Sequence, residues 1–185
     1  MKRYVDLTAN DQAQFTAIIN TRFVKRRQFI VQPGFVCKYQ TYVLKGAFRS
    51  YFVTDEGVEH TIQFAIEDWF ISDFSSYINQ KPASLIVEAL EDSVVQQIDY
   101  DAVEHLCHHN PKFERFFRLV AQKSFAYSQQ RILSNLGKSA KERYLEFNEL
   151  YPTIVQRVPQ YALASYLGMS AEFLSKIRKQ LALDS

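Results

Sequence analysis

The sequence predicts an α+β protein in which a β-rich half is followed by a helical half. From Phe29 to Tyr100, β-branched and aromatic residues dominate in short runs that turn residues interrupt. After Tyr100, apolar residues recur at the helical period instead. Hydrophobic residues make up 47% of the chain and charged residues 23%, so there is enough apolar material for a packed core. We therefore expect a β-barrel or β-sandwich joined to a bundle of helices.

A short amphipathic helix is expected before the first strand. It would run from Thr8 to about Thr21, with Phe15, Ile18 and Ile19 on one side. Glycine-containing turns at 32–34 and 54–57 then separate the strand signals. The predicted strands include 42–44, 48–53, 60–65, 84–89 and 94–99. Their spacing of about ten residues is typical of a sandwich or barrel.

One long helix is predicted after the strands. Asn110 is a good N-cap, Pro111 a good first helical residue, and Gly137 can end the helix. A helix over 111–136 would span roughly 39 Å at about 1.5 Å per residue. Its apolar face is wide enough for one stripe to contact the barrel and another a partner subunit, although the whole face can also be intramolecular core. The residues expected at a dimer interface are Phe113, Phe117, Val120, Ser124 and Tyr127.

A separate C-terminal unit begins just after Gly137. Ser139 and Glu142 have the capping-box spacing that starts a new helix, and Pro152 ends it. We expect a β-barrel domain over 1–110, a dimerisation helix over 111–137 and a helical domain over 138–185.

Residues 160–179 carry the pattern of a helix-turn-helix. Counted from Gln160, small Ala164 is fifth, where two helices cross closely, and Gly168 is ninth, where the turn needs a positive φ. Ser170 can cap the second helix. The positions that close the core between the helices are all apolar: Leu163, Leu167, Met169, Leu174 and Ile177.

The polar face of the second helix is the expected DNA-reading surface. Recognition helices place the N-terminal part of such a face against base edges in the major groove. Glu172 can accept from a cytosine amino group and Lys176 can reach guanine, whereas Arg178 and Lys179 suit phosphates. The full expected set is Ser170, Ala171, Glu172, Ser175, Lys176, Arg178 and Lys179.

Charge supports this placement weakly. The net charge is +2, and all of it lies beyond residue 137, where seven basic residues face five acidic ones. The alternative hypothesis is an effector-binding or protein-interaction module whose helix-turn-helix no longer binds DNA. Salt dependence separates the two, because phosphate binding weakens steeply as salt rises.

The chain resembles the Crp/Fnr family over nearly its whole length. Residues 158–160, 164–170 and 174–178 resemble the DNA-binding signature of that family, and 57–64, 88–92 and 143–145 resemble a subgroup common in Bacteroidetes. The resemblance implies a double-stranded β-helix (jelly-roll) sensor domain of the cyclic-nucleotide-binding type, a long dimerisation helix and a winged-helix-like DNA-binding domain. It implies double-stranded DNA, a second copy of the chain and RNA polymerase as partners, and a small-molecule effector that is unknown or absent.

The phosphate-binding cassette of that family is altered here. Cyclic-nucleotide binders have a Gly-Glu pair followed about eleven residues later by Arg-Ser or Arg-Thr; the matching residues here are Ser72, Asp73, Ala83 and Ser84. A buried phosphate diester needs a paired cation, which Ala83 cannot supply. We expect an effector pocket at these four residues that does not respond to cyclic AMP. The stretch 153–157 is also short for the usual wing hairpin.

Other chemistries find little support. His105 with either His108 or His109 has helical ligand spacing, but no third ligand is evident. We expect His108 and His109 instead to lie near a helix C-terminus and to interact with its last carbonyls. Cys37 and Cys107 have no metal or iron–sulfur spacing, and Cys37 is expected to be a small buried residue rather than a redox switch. The acidic residues outside the helices are expected to be turn and surface carboxylates: Asp68, Asp73, Glu88 and Glu91.

We therefore expect no enzyme activity, no cofactor, no metal and no catalytic residue. A signal peptide and an apolar run of membrane-spanning length are also not evident in the sequence, which favours a reduced, cytoplasmic location.

Overall fold

A computed structural model describes residues 5–183. Its strands are β1 (Ile19–Val24), β2 (Phe29–Val31), β3 (Tyr39–Lys45), β4 (Phe48–Val53), β5 (Glu59–Ala65), β6 (Phe70–Ile71), β7 (Ile86–Ala89) and β8 (Ser93–Asp99). Its helices are α1 (Ala9–Ala17), α2 (Phe74–Asn79), α3 (Tyr100–His109), α4 (Pro111–Gly137), α5 (Ala140–Leu150), α6 (Pro152–Arg157), α7 (Gln160–Tyr166) and α8 (Ala171–Leu183).

The strands form two antiparallel four-stranded sheets, ordered β1-β8-β3-β6 and β2-β7-β4-β5. The core between them contains fully buried Val24, Val43, Phe48, Val87 and Val95. The alternating pattern of the strands supplies these side chains, because one face of each strand points inward. This jelly-roll-type sandwich agrees with the predicted β-barrel.

Gly46 keeps the turn between β3 and β4 close to the neighbouring chain. Its φ is +114°, and a Cβ atom there would lie 2.0 Å from the Ser93 hydroxyl oxygen. Glycine alone satisfies both the backbone conformation and the space.

The first predicted helix is too long. It ends at Ala17, and β1 begins two residues later, pairing with β8 from Ile19 opposite Ile98. The ladder formed with β8 overrides the helical spacing of Ile18 and Ile19. Thr8 caps the helix, and Asp11 completes the capping box.

Helix α4 is anchored at its start and extends well beyond that anchor. The Asp11 carboxylate accepts from Asn110 at 2.7 Å and pairs with Lys112 at 2.7 Å. Phe15 stacks on Phe113 at 5.8 Å between ring centroids. Burial inside one subunit therefore concentrates in the first half of α4.

Helices α5 to α8 pack around one apolar cluster, which includes Leu163, Leu167, Leu174 and Ile177 and extends onto Phe64 of β5. Helix α6 occupies the stretch suspected to be too short for a wing, and within residues 5–183 no strand follows Asp99. The described part of this domain is therefore a wingless helix-turn-helix.

Candidate functional site

The helix-turn-helix has the geometry that its sequence predicts. Ala164 is buried where α7 meets α8, and Gly168 in the turn has a φ of +68°. The turn is closed by the N–H of Met169, which donates to the Ala164 carbonyl at 3.0 Å. The Ser170 hydroxyl accepts from the N–H of Phe173 at 3.1 Å and so caps α8.

Helix α8 presents a polar face to solvent. Glu172, Ser175, Lys176 and Lys179 are exposed on it, opposite the buried Leu174 and Ile177. The face leads outward from the domain, as a recognition helix requires. Ala171 is half-buried, and its carbonyl accepts from Gln160 at 3.1 Å.

Arg178 does not share this free face. Its Nε donates to the Tyr144 hydroxyl at 3.2 Å, and its guanidinium lies over the Tyr144 ring. Of the three cations expected to meet DNA, two are exposed and this one supports α5. The capping hydroxyl of Ser170 is likewise engaged within the domain.

Glu172 is set up as an acceptor. Its own backbone N–H and the Ser170 hydroxyl lower the pKa of its carboxyl, as does nearby Lys176. The group is therefore ionised at neutral pH, and an ionised carboxylate only accepts hydrogen bonds. Of the amino groups that donate in the major groove, the one on cytosine is the usual partner of a glutamate or aspartate.

The edge of the sandwich holds the helix-turn-helix domain. Strand β5 is the last strand of its sheet, so one side of its backbone has no strand partner. The Ser165 hydroxyl of α7 fills part of this gap: it accepts from the N–H of Thr61 at 2.9 Å and donates to the Glu59 carbonyl at 2.8 Å.

Arg131 of α4 binds two further backbone groups of β5. Its guanidinium donates to the carbonyls of Thr61 and Ile62 and, at 3.0 Å, to that of Tyr166 in α7. It also lies 4.0 Å from the centre of the Tyr166 ring. One side chain of the long helix therefore touches both the sensor domain and the helix-turn-helix.

Two charged clusters and an apolar cluster surround this contact. Arg157 pairs with Glu67 at 2.7 Å and also with Glu91. Buried Arg49 pairs with Glu59 at 2.6 Å and Glu88 at 2.8 Å. The apolar residues of the contact include Phe64, Trp69, Tyr127, Tyr151 and Tyr166.

These residues were not singled out from the sequence as joining the domains. Glu88 and Glu91, expected to be turn or surface carboxylates, instead form ion pairs with arginines. A buried arginine on a strand, such as Arg49, signals that partners are needed, but the sequence does not show which acidic residues will face it.

The altered phosphate-binding cassette is folded around the carboxylate of Asp73. Asp73 is buried and accepts from the backbone N–H groups of Ser76 at 3.0 Å, Ser84 at 2.9 Å and Leu85 at 3.0 Å. Burial alone would raise the pKa of this carboxyl, but these donors outweigh it and the pKa is lowered. Ser72 and Ala83 are buried alongside.

The hydrogen bonds to Asp73 occupy the backbone donors of this segment. The backbone donors that join α2 to the start of β7 are already bound to an anion, and Ala83 supplies no cation. A phosphate placed there would face an ionised carboxylate instead. The four cassette residues do come together, but as a hydrogen-bonded structural element.

The expected dimer residues divide between two environments. Phe113 is completely buried against α1, and Phe117 and Val120 are half-buried. The Tyr127 hydroxyl shares a 2.7 Å hydrogen bond with that of Tyr166, so this side chain contacts the helix-turn-helix of its own subunit. Ser124 alone of the five is exposed.

A different stripe of α4 faces solvent. It consists of large apolar side chains in the second half of the helix: Phe125, Ile132, Leu133 and Leu136. Phe125 is 64% exposed and Leu136 is 81% exposed. The sequence analysis included them in one wide apolar face, because periodicity does not reveal which part of a face its own domain covers.

The cysteines and histidines are the remaining candidate groups. Cys37 is buried, and burial raises the pKa of its thiol; both cysteines are free. His108 and His109 lie in the last turn of α3. Within residues 5–183 no cluster of three or more histidine, cysteine or acidic side chains can hold a metal ion. Over the same residues, no helix combines the length and apolarity needed to cross a membrane.

Comparison with known proteins identifies the class to which this architecture belongs. Residues 21–110 match the family model of the cyclic nucleotide-binding domain. The regulatory protein HlyX of Actinobacillus pleuropneumoniae is 22% identical over 183 residues, covering 92% of this chain and 75% of that protein.

Solved structures show the same fold over almost the full length. FixK2 from Bradyrhizobium japonicum has a TM-score of 0.77 at 18% identity, covering 90% of this chain and 86% of its own. The c-di-GMP-responsive regulator CLP of Xanthomonas campestris has a TM-score of 0.72 at 16% identity, covering 96% and 93%. The chain thus combines a cyclic-nucleotide-binding-type domain with a helix-turn-helix. In sequence and in fold it is similar to the Crp/Fnr transcription regulators over nearly its whole length, which agrees with the resemblance found in its motifs. The narrower resemblance to a Bacteroidetes subgroup stays a prediction.

Proposed function

We propose that this regulator binds specific duplex DNA as a homodimer and that cyclic AMP is not its effector. The exposed polar face of α8 carries the first part of the proposal. An ionised Glu172 beside Lys176 offers an acceptor for cytosine and a donor for guanine, while Lys179 is free to meet a phosphate.

The dimer part of the proposal rests on the exposed stripe of α4. Phe125 and Ile132 are seven residues apart and Leu136 follows four residues later, which is the spacing of a coiled-coil seam. Pairing two copies along this stripe would cover the largest exposed apolar side chains of the helix. We assign the subunit contact to this stripe rather than to the residues that pack within one subunit, and we divide the chain into a sensor domain (1–110), a dimerisation helix (111–137) and a DNA-binding domain (138–185).

The effector part rests on Asp73. Because its carboxylate already holds three backbone donors, the cassette has no free set of donors for a phosphate diester. The sensor domain then either responds to a ligand of another chemical class or acts without one. Because a transcription regulator acts on chromosomal DNA, we propose that it is cytoplasmic. Its partners there would be duplex DNA and RNA polymerase.

Selection from a random pool of duplex DNA, followed by sequencing, tests the proposal. The unmodified protein should enrich an inverted repeat whose half-sites lie about one helical turn apart. Lys176→Ala should lose that enrichment, whereas Lys81→Ala, which removes an exposed ammonium from the sensor domain, should retain it. If no sequence is enriched and binding to duplex DNA does not weaken as salt rises, the domain is an interaction module and not a DNA reader.

A further inference from the structure

Helix α8 also exposes an aromatic side chain, which is not among the polar residues expected to contact DNA. Phe173 follows Glu172 directly and is 48% exposed. Its backbone N–H donates to the Ser170 hydroxyl at the helix cap, which places Phe173 in the first turn of α8. A solvated helix face is ordinarily polar, and a large apolar group at the entering end of a recognition helix calls for an apolar contact.

We propose that Phe173 contacts the C5-methyl group of a thymine and so sets one base of the recognised sequence. The thymine methyl is the only apolar group that base pairs display in the major groove, and phenylalanine is among the side chains that contact it. This inference rests on the proposed DNA-binding function. It adds a reader that neither the sequence pattern nor the charges of α8 indicated.

The neighbours of Phe173 locate the thymine. Lys176 is three residues further on, so its side chain lies on the adjoining part of the same helix surface. Glu172 precedes Phe173, and Ala171, which is small and half-buried, leaves room at the start of the helix. The first turn therefore offers a carboxylate and a ring, with an ammonium beside them. The thymine should lie within one or two base pairs of the G·C pair that Glu172 or Lys176 contacts.

The experiment replaces thymine by deoxyuridine, which removes the methyl group and leaves every hydrogen-bonding group of the base pair in place. The operator enriched from the random pool is synthesised with each thymine replaced in turn, and affinities are measured by fluorescence anisotropy. One buried methyl group is worth about 0.8 kcal/mol, which corresponds to about a fourfold loss of affinity. The unmodified protein should show that loss at one thymine in each half-site.

The variant Phe173→Ala should bind the thymine and deoxyuridine operators equally, and Phe173→Leu should restore part of the discrimination. Leu150→Ala, which removes another exposed apolar side chain of the same domain, should discriminate as the unmodified protein does. Equal binding of both operators by the unmodified protein, or unchanged discrimination by Phe173→Ala, would overturn the thymine contact while leaving DNA binding intact. Failure to enrich any operator would overturn the contact together with the proposed function.

Discussion

The Ser165 hydroxyl accepts the backbone N–H of Thr61 at 2.9 Å, so a side chain of the helix-turn-helix completes the edge of the sensor sheet. Thr61 is 1% exposed, which means that water does not replace this partner in the docked state. The same hydroxyl donates to the Glu59 carbonyl. The position of the DNA-binding domain is therefore defined by directional hydrogen bonds as well as by apolar contact.

Removing this hydroxyl should loosen the domain contact. In Ser165→Ala the N–H of Thr61 and the carbonyl of Glu59 both lose their partner, and a buried polar group without a partner costs about 1–3 kcal/mol. We expect the free energy of unfolding in urea to fall by an amount in that range. Ser175→Ala, on the exposed face of α8, should change it by less than about 0.5 kcal/mol. Equal stability of the two variants would mean that Ser165 does not join the domains.

Glu67 should make this contact sensitive to acid. The Arg157 guanidinium lowers the pKa of its carboxyl from 4.5 to about 2. A carboxylate with a lowered pKa in the folded state stabilises the protein fully above about pH 4.5, and that contribution is lost as pH falls toward 2. The difference in urea midpoint between the unmodified protein and Glu67→Gln should therefore be larger at pH 6 than at pH 3.

The control for this titration is Glu149→Gln, which neutralises an exposed carboxylate on α5. Its midpoint should follow that of the unmodified protein at both pH values. A constant difference between Glu67→Gln and the unmodified protein from pH 6 to pH 3 would show that the ion pair with Arg157 contributes no pH-dependent stability.

Asp73 should be essential to the structure of the cassette. Asp73→Ala leaves three backbone N–H groups without their acceptor, and hydrogen bonds to charged groups contribute about 1.5–3 kcal/mol each. We expect a loss of at least about 2 kcal/mol in the free energy of unfolding, with a smaller loss in Asp73→Asn, whose amide oxygen still accepts. Addition of cyclic AMP should leave the melting temperature of the unmodified protein unchanged, whereas a bound ligand would raise it. A rise would contradict the closed cassette.

The exposed stripe of α4 should control the oligomeric state. Phe125→Asp places a charge in the middle of the proposed seam, and we expect sedimentation velocity to show a folded particle of 21.6 kDa instead of one twice that mass. Leu150→Asp puts the same charge on an exposed position of α5 and should remain dimeric. A dimer that survives Phe125→Asp would exclude this stripe as the subunit contact.

The local sequence was sufficient to predict the elements that begin at a capping residue or turn at a glycine. Asn110 and Pro111 start α4, Ser139 starts α5, and Gly168 forms the turn of the helix-turn-helix, all as predicted. Each of these positions acts through its own backbone or its nearest neighbours. The local sequence is therefore enough to predict where these helices begin and where the turn lies.

The same reasoning could not predict which segments distant in the sequence pair with each other. The segment from Ile19 looked helical because Ile18 and Ile19 continue the spacing of α1, yet it pairs with β8, about eighty residues away. Arg131 and Ser165 lie in no distinctive local pattern. Both bind the backbone of β5, and they can do so only because β5 is an edge strand. Tyr127 was expected at a dimer interface, but its hydroxyl shares a hydrogen bond with that of Tyr166. This contact also forms because the helix-turn-helix packs against the sensor domain.

The most direct test of a DNA-reading α8 is the affinity for the enriched duplex and for a shuffled duplex, measured by anisotropy from about 50 to about 200 mM salt. We predict that both affinities fall steeply with salt and that the enriched duplex binds at least about a thousandfold more tightly. Lys179→Ala should lower the slope of log affinity against log salt by about one, and Lys176→Ala should reduce the preference for the enriched sequence. Equal affinities for the two duplexes, or binding that does not change with salt, would contradict the account.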